Sequence, residues 1–310
     1  MLHTSQVLPL SKISLTDWQL IKVSGVDNSK FLQGQLTSDM NKLTDKNFLF
    51  AAQCEPKGKV LSNMLLFKQG DDIYYIERES VVDTQLKELK KYAVFSKVTF
   101  NIDTDLTIIG IAGNSNHHQL TEIAGLFNDA QNCTSLNDLT YLRINFPTPR
   151  YIIIGKEHDI NQLALVKECQ VQSAEQWALL DLEANYPIID MPLTNEYLPQ
   201  AFNLQNFDAI NFDKGCYCGQ EMVARAQYRG INKRALYLLA GQSEKLPVIG
   251  DTLEQKMDEN WRETGRITAT LRLNDQSIWV QAILNNDLDT DTIFRVKNSP
   301  TSQLALKQVK

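Results

Sequence analysis

The chain has 310 residues and a formal net charge of −6 at pH 7, with 43% hydrophobic and 22% charged residues. This composition is ordinary for a globular protein of two or three domains, and it excludes a largely disordered chain. No apolar run approaches the roughly 20 residues that cross a membrane, and the first residues show no signal-peptide pattern, so we expect no membrane association.

Up to residue 230 the chain alternates predicted helices and strands. Asp27 and Asn28 are helix-capping residue types, and apolar residues at helical or alternating spacing mark the segments that follow. In chain order we predict a helix at 28–40, strands at 48–54, 60–67 and 73–77, a helix at 81–92, a strand at 106–112, a helix at 119–127, strands at 141–145 and 151–154, and helices at 160–169 and 174–185. This mixture indicates the α+β class rather than a doubly wound α/β sheet.

Beyond Gly230 the pattern changes to short β-strands. We predict strands at 235–239, 264–271, 278–284 and 293–296, with glycine and Asn-Asn punctuation between them. Short strands at regular intervals are typical of a small β-barrel. We therefore expect one region over residues 1–230 and a C-terminal β-barrel domain over residues 231–310.

Residues 213–225 form the densest group of reactive side chains in the sequence. They read Asp-Lys-Gly-Cys-Tyr-Cys-Gly-Gln-Glu-Met-Val-Ala-Arg, so that two thiols lie between glycines. Glycines permit a tight, open turn. Lys214 and Arg225 are placed to lower the pKa of a nearby thiol, whose thiolate is the reactive form. A glycine-punctuated loop with half-buried cysteines is the structural alternative for this segment.

The cysteines also bear on compartment and metal binding. Five cysteines at irregular spacings argue against a disulfide framework and for a reducing compartment, so we expect a cytoplasmic protein. Cys216 and Cys218 supply two ligands rather than the four of a structural zinc site, and the four histidines lie elsewhere in the sequence. We therefore expect no bound metal.

The segment 214–225 resembles the hallmark of the YgfZ family, Lys-Gly-Cys-Tyr-x-Gly-Gln-Glu followed by Met-Val-Ala-Arg. Further blocks that resemble this family lie at 31–39, 57–59, 92–97, 199–201, 232–234 and 250–254. The family comprises folate-binding, tRNA-modifying proteins related to the glycine-cleavage T-protein. The resemblance implies a T-protein-like, folate-binding body of two interleaved α/β domains, followed by a C-terminal β-barrel. It also implies a tetrahydrofolate-binding accessory protein that supports the maturation or repair of iron–sulfur enzymes, including tRNA-modifying enzymes as its clients.

A binding site for tetrahydrofolate, or for a one-carbon derivative of it, follows from this resemblance and from the chemistry of a pterin. A pterin presents a donor edge that a carboxylate accepts, and we assign that carboxylate to Glu183, near the end of an apolar helix. The resemblance implies that Trp18 and Trp177 contact the folate, and we expect both to converge with Glu183 on one pocket. We assign Lys214 and Arg225 to the anionic tail of the ligand, and Tyr228 to the rim of the channel.

The comparison with the T-protein argues against a simple transferase. Where the T-protein carries an acidic pair, this chain has Ser62 and Asn63, and an amide cannot act as that acid or base. Cys216 is the functional thiol that the resemblance implies, whereas Cys218 occupies a position that varies in the family. A disulfide that exchanges between Cys216 and Cys218 stays open as an alternative. Whether the protein is an enzyme stays open, and the replacement of the acids by Ser62 and Asn63 argues against catalytic turnover. Two alternatives are a one-carbon (aminomethyl) transferase that uses Cys216 and a folate-independent iron–sulfur scaffold.

The charge distribution bears on the partners. An acidic protein is a poor direct ligand for tRNA, because neutralising phosphates needs clustered lysine and arginine. Five basic residues do fall close together, and they suit a small anionic ligand better than a duplex. They are Lys214, Arg225, Arg229, Lys233 and Arg234.

Overall fold

A computed structural model describes residues 1–114 and 116–308 of the chain. Its strands are β1 (Ser11–Ser14), β2 (Trp18–Ser24), β3 (Leu49–Cys54), β4 (Val60–Gln69), β5 (Asp72–Arg78), β6 (Thr99–Ile102), β7 (Thr107–Ala112), β8 (Cys133–Leu136), β9 (Leu139–Ile144), β10 (Arg150–Gly155), β11 (Gln170–Gln172), β12 (Arg234–Gln242), β13 (Thr252–Met257), β14 (Asn260–Arg272), β15 (Ile278–Asn285), β16 (Ile293–Val296) and β17 (Ser299–Leu306). Its α-helices are α1 (Asn28–Gln33), α2 (Val82–Tyr92), α3 (His118–Ala124), α4 (Glu157–Gln162), α5 (Ala164–Glu168), α6 (Ala174–Glu183) and α7 (Gln220–Arg229). None of the helices in this part of the chain is long and apolar enough to span a membrane.

Two sheets share the first part of the chain in an interleaved order. The first sheet has the strand order β11-β1-β7-β10-β9-β8, and the second has the order β3-β4-β5-β2-β6. After β1 the chain leaves the first sheet, builds the whole second sheet with β2–β6, and returns with β7, which pairs with β1. The first sheet is therefore formed by two separate stretches of sequence, and the second sheet is one continuous stretch inserted between them.

The two sheets pack face to face, and helices cover their outer faces. Ile13 and Ile152 of the first sheet share one apolar cluster with Leu20 and Leu65 of the second. Helices α1 and α2 bury their apolar side chains against the outer face of the second sheet, and α3, α4 and α5 do the same on the first. Burial on both sides explains why β4 has eight consecutive buried residues, from Val60 to Phe67.

The C-terminal strands close into a barrel with the order β12-β15-β14-β13-β16-β17. The barrel joins the body through shared apolar clusters. Leu236 and Ile283 pack with Ala52 of β3, and Leu238 and Trp279 pack with Leu179 of α6. The predicted α+β class and C-terminal barrel are confirmed.

Two predicted helices differ from the structure, and one helix was not predicted. The helix predicted at 28–40 ends at Gln33, and a short 3-10 turn, Met40–Lys42, follows after a loop. The helix predicted at 160–169 is divided into α4 and α5, because Leu163 has an extended backbone with ψ of 126°. The second half of the cysteine motif forms helix α7 rather than a loop, beginning directly after Gly219.

Candidate functional site

The cysteine motif forms an exposed turn on the body, here called the thiol turn (residues 213–219). Gly215 and Cys216 are exposed, Cys218 is half-buried and Tyr217 is buried. The Cys218 N–H donates to the carbonyl of Gly34 at 3.0 Å, just after helix α1. The turn thus presents the side chain of Cys216 to solvent while its flanks are attached to the second sheet and to α1.

Two glycines allow the thiol turn to approach the hairpin between β3 and β4. Gly58 and Gly219 have φ of +80° and +83°, in the left-handed region that favours glycine. A Cβ atom on Gly219 would lie 2.6 Å from the carbonyl oxygen of Glu55 and 2.8 Å from the Cα of Gly58. Backbone therefore packs directly on backbone here, and both positions exclude a side chain.

Lys214 holds the thiol turn to the segment that follows α1. Its Nζ donates to the carbonyls of Gln33, Leu36 and Ser38 at 2.7, 2.6 and 2.8 Å. Burial lowers the pKa of Lys214 to about 8. Because an ammonium has three N–H donors and all three are used, none is left for an anionic ligand. This corrects the assignment of Lys214 to the ligand tail: its role is structural.

The thiols differ in accessibility. Burial raises the pKa of Cys133 to about 12 and that of Cys169 to about 11. Burial also raises the pKa of Cys54 and of Cys218 above the ordinary value. Cys216 is exposed, which makes it the thiol that a partner or reagent reaches without any opening of the structure.

Arg225 and Tyr228 lie on helix α7, and the side chains of both are exposed. Arg225 pairs with Glu221 one turn earlier at 2.6 Å, and both side chains are largely exposed. Tyr228 is 70% exposed and contacts the ring of Phe212 edge-on. The structure therefore does not bring these two predicted ligand contacts together with the tryptophans.

The two predicted tryptophans do meet, in a cavity between the two sheets. Trp18 begins β2 and Trp177 lies on the inner face of α6, and both line a cavity of about 20 Å³, here called the tryptophan cavity. Its other walls are aromatic and aliphatic, apart from one polar end. They are Phe50, Leu65, Ile76, Ile144, Phe146, Arg150, Ile152, Asp181 and Tyr186.

The polar end of the tryptophan cavity is a buried ion pair. Arg150 opens β10 and Asp181 lies one helical turn after Trp177, and their side chains meet at 2.5 Å between Nη2 and Oδ1. The guanidinium also lies over the Trp177 ring, 4.3 Å from its centroid. Burial raises the pKa of Asp181, and the charge of Arg150 opposes that rise. Neither residue was predicted from the sequence, although an aspartate among leucines in an apolar helix is a usable signal.

Glu183 lies outside the tryptophan cavity, which corrects the prediction that it joins the two tryptophans. Its carboxylate accepts from the Ser5 N–H at 2.8 Å and from the Ser5 hydroxyl at 2.7 Å. It lines a separate cleft between the N-terminal segment and the barrel, beside Trp279 and Lys307. Two residues along a helix rotate a side chain by about 200°, so Asp181 and Glu183 point to opposite sides of α6.

Ser62 and Asn63 are buried on opposite faces of β4. Asn63 donates to the Tyr186 hydroxyl at 3.2 Å and to the Pro187 carbonyl at 3.0 Å, directly behind the wall of the tryptophan cavity. Ser62 donates to the carboxyl of Glu77 on the other face of the sheet. Burial raises the pKa of Glu77 to about 8.

Comparison with solved structures identifies the fold. The glycine cleavage system aminomethyltransferase T from Bartonella henselae superposes with a TM-score of 0.74, covering 98% of this chain and 86% of that chain at 14% identity. The predicted T-protein-like fold is thereby confirmed.

Comparison with known sequences identifies the family. The family described as the YgfZ β-barrel domain matches residues 232–299. A "tRNA-modifying protein YgfZ" of Sodalis glossinidius is 46% identical over 98% of this chain and 93% of its own length. A relative with the same name from Yersinia enterocolitica is 44% identical over 99% and 94%. The chain therefore belongs to the YgfZ family.

Proposed function

We propose that this protein binds a reduced folate, tetrahydrofolate or a one-carbon derivative, in the tryptophan cavity. The observation that carries the proposal is the meeting of Trp18 and Trp177 around one cavity that has a buried polar end. Flat aromatic walls suit a pterin, and a carboxylate beside a guanidinium suits its polar edge. Through the exposed Cys216 the protein acts in the cytoplasm as an accessory factor for iron–sulfur enzymes, including those that modify tRNA. The name of its relatives supports this role.

The lining fits a pterin in chemistry, but the cavity is smaller than a pterin. At about 20 Å³ it has room for about one water molecule. Ligand entry therefore requires the aromatic wall to move. Phe146 is the side chain best placed to do so: it lies next to the turn before β10, is only partly buried, and packs on the rings of Phe50, Tyr186 and Phe207.

An accessory role is favoured over aminomethyl transfer by the groups around the cavity. Asn63 stands behind the cavity wall and Tyr186 is part of that wall, and neither an amide nor a tyrosine whose pKa burial raises well above its ordinary value is a base at neutral pH. Cys216 lies on the thiol turn and is not among the residues that line the tryptophan cavity. A one-carbon unit on a ligand in the cavity would have no thiol beside it.

Ligand binding is tested by titration with tetrahydrofolate while the tryptophan fluorescence is followed. Trp177→Phe removes part of the stacking surface, so we expect about tenfold weaker binding. Trp261→Phe is the matched control, because Trp261 lies in the barrel on Arg295, and it should bind like the wild type. If the wild type binds no tetrahydrofolate, the folate-independent scaffold takes the place of this proposal.

The role of the thiol is tested in cells. Cys216→Ala should lower the activity of iron–sulfur enzymes and leave tRNA without the modifications that they install, while the purified variant keeps its thermal stability, because an exposed thiol contributes little to folding. Cys218→Ala and Cys169→Ala should be nearly silent. Normal tRNA modification in Cys216→Ala cells would contradict the role of the thiol, and turnover of aminomethyl groups by purified protein would favour the transferase.

A further inference from the structure

We propose that Arg150 and Asp181 form a reader for one particular ring edge, in which a carbonyl, a ring N–H and an amino group stand side by side. Pterins and guanine share this edge. For a pterin the inference deepens the proposed function and rests on it. Recognition of guanine by the same pair does not depend on the proposed folate binding.

The pair presents unused hydrogen-bonding groups at the end of the cavity. Both side chains are only 2% exposed, and one bond, from Nη2 to Oδ1, joins them. Oδ2 of Asp181 and both Nε and Nη1 of Arg150 have no hydrogen-bond partner among the residues that the structure describes. Unpaired buried polar atoms are uncommon, and a bidentate Arg–Asp fork would have used Oδ2 and one of these two nitrogens.

The pattern of these atoms selects the ligand edge. Asp181 offers an acceptor, and Arg150 beside it offers donors. A ring that matches them needs N–H donors next to a carbonyl acceptor, which the shared edge of pterins and guanine supplies. A ring that lacks the amino group makes one bond fewer to the carboxylate.

Neighbouring aromatic rings hold the side chain of Arg150 in place. The guanidinium of Arg150 lies over Trp177 at 4.3 Å from the ring centroid and near Phe146 at 5.7 Å. These contacts fix its orientation, and the same rings are walls against which a flat heterocycle stacks. Glu183 accepts from Ser5 in another cleft, so Asp181 is the carboxylate that faces the tryptophan cavity.

The test measures selectivity for the amino group on the full-length protein. Affinities are determined for tetrahydrofolate against its 2-desamino analogue, and for guanosine against inosine, which lacks the same amino group. The wild type should prefer the amino compound of at least one pair by about tenfold or more, the effect of a charge-assisted hydrogen bond.

Asp181→Asn should abolish that preference. Arg150 keeps the amide oxygen turned toward itself, so the new NH₂ group faces the donors of the ligand. A merely structural role would weaken both members of a pair equally. Asp129→Asn, an exposed aspartate, should leave the preference unchanged.

Two kinds of outcome separate the two proposals. If tetrahydrofolate binds without any preference for the amino group, Arg150 and Asp181 do not recognise that group, and the folate proposal stands. The same holds if Asp181→Asn keeps the preference of the wild type. Selective guanosine binding without folate binding supports the reader and removes the folate proposal. No binding of any of the four compounds overturns both. Absence of the preference in the wild type overturns the proposal whether or not the variant folds.

Discussion

Glu77 is a buried carboxyl whose protonation state is linked to the stability of the fold. It lies on β5, is fully buried, and has Ser62 as its hydrogen-bond donor. Burial raises its pKa from an ordinary 4.5 to about 8. Between these values the folded chain holds a proton that the unfolded chain releases. The free energy of unfolding therefore falls as pH rises through this window, by up to about 1.4 kcal/mol per pH unit.

Glu77→Gln should remove this pH dependence. A glutamine does not titrate, so the stability of the variant relative to the wild type should increase steadily from pH 5 to pH 8. Urea denaturation at four pH values measures the difference. Glu122→Gln, at an exposed position on α3, should keep the slope of the wild type. A parallel pair of curves for wild type and Glu77→Gln would show that Glu77 titrates alike in the folded and unfolded states.

At the scale of single residues, the sequence predicted the two tryptophans of the cavity but not its polar end. Trp18 and Trp177 were found through the family resemblance. Arg150 and Asp181 are 31 positions apart, on different elements, and nothing in the local sequence shows that they meet. Glu183 was assigned from its position near the end of the apolar helix. Asp181 lies in the same helix, and only the position of that helix against the sheets decides which of the two carboxyls faces the cavity.

Among the secondary-structure elements, the thiol turn depends on close contact between two glycine-containing turns. Gly219→Ala places a Cβ 2.6 Å from a backbone oxygen and keeps a positive φ, so we expect a loss of roughly 2 kcal/mol or more in the free energy of unfolding. Gly215→Ala is the matched control, since a Cβ there meets nothing within 4 Å, and its effect should stay within about 0.5 kcal/mol. Urea denaturation measures both. Equal stability of the two variants would mean that the turns do not pack closely in solution.

Two strands that were not predicted, β11 and β17, have a weak apolar pattern. Strand β17 has buried residues at only Ser302 and Leu304, and no residue of β11 is buried. Both are placed by pairing with other strands, which is non-local information. Helix α7 was not predicted for a different reason. Its residues favour a helix, but the glycines and cysteines before it indicate a loop. In the structure Gly219 has a left-handed backbone conformation, and the helix begins directly after it.

Across the whole molecule, one glutamine joins the barrel to the wall of the tryptophan cavity. Gln281 of β15 is fully buried. Its amide nitrogen donates to the Tyr186 carbonyl at 2.9 Å and to Asn185 Oδ1 at 3.3 Å. Its amide oxygen accepts from the Ile188 N–H at 3.2 Å and from Thr268 at 3.0 Å. The segment that carries Tyr186 into the cavity wall is thus held by the barrel.

Gln281→Leu should therefore affect both stability and ligand binding. The leucine fills a similar volume but leaves the buried Tyr186 carbonyl and Ile188 N–H without partners, so we expect the free energy of unfolding to fall by roughly 2–4 kcal/mol. Because Tyr186 lines the cavity, tetrahydrofolate should also bind more weakly, although Gln281 itself does not line it. Gln303→Leu, at an exposed position of β17, is the matched control and should change neither quantity. A Gln281→Leu protein that loses stability but binds tetrahydrofolate like the wild type would show that the barrel supports the fold without shaping the cavity.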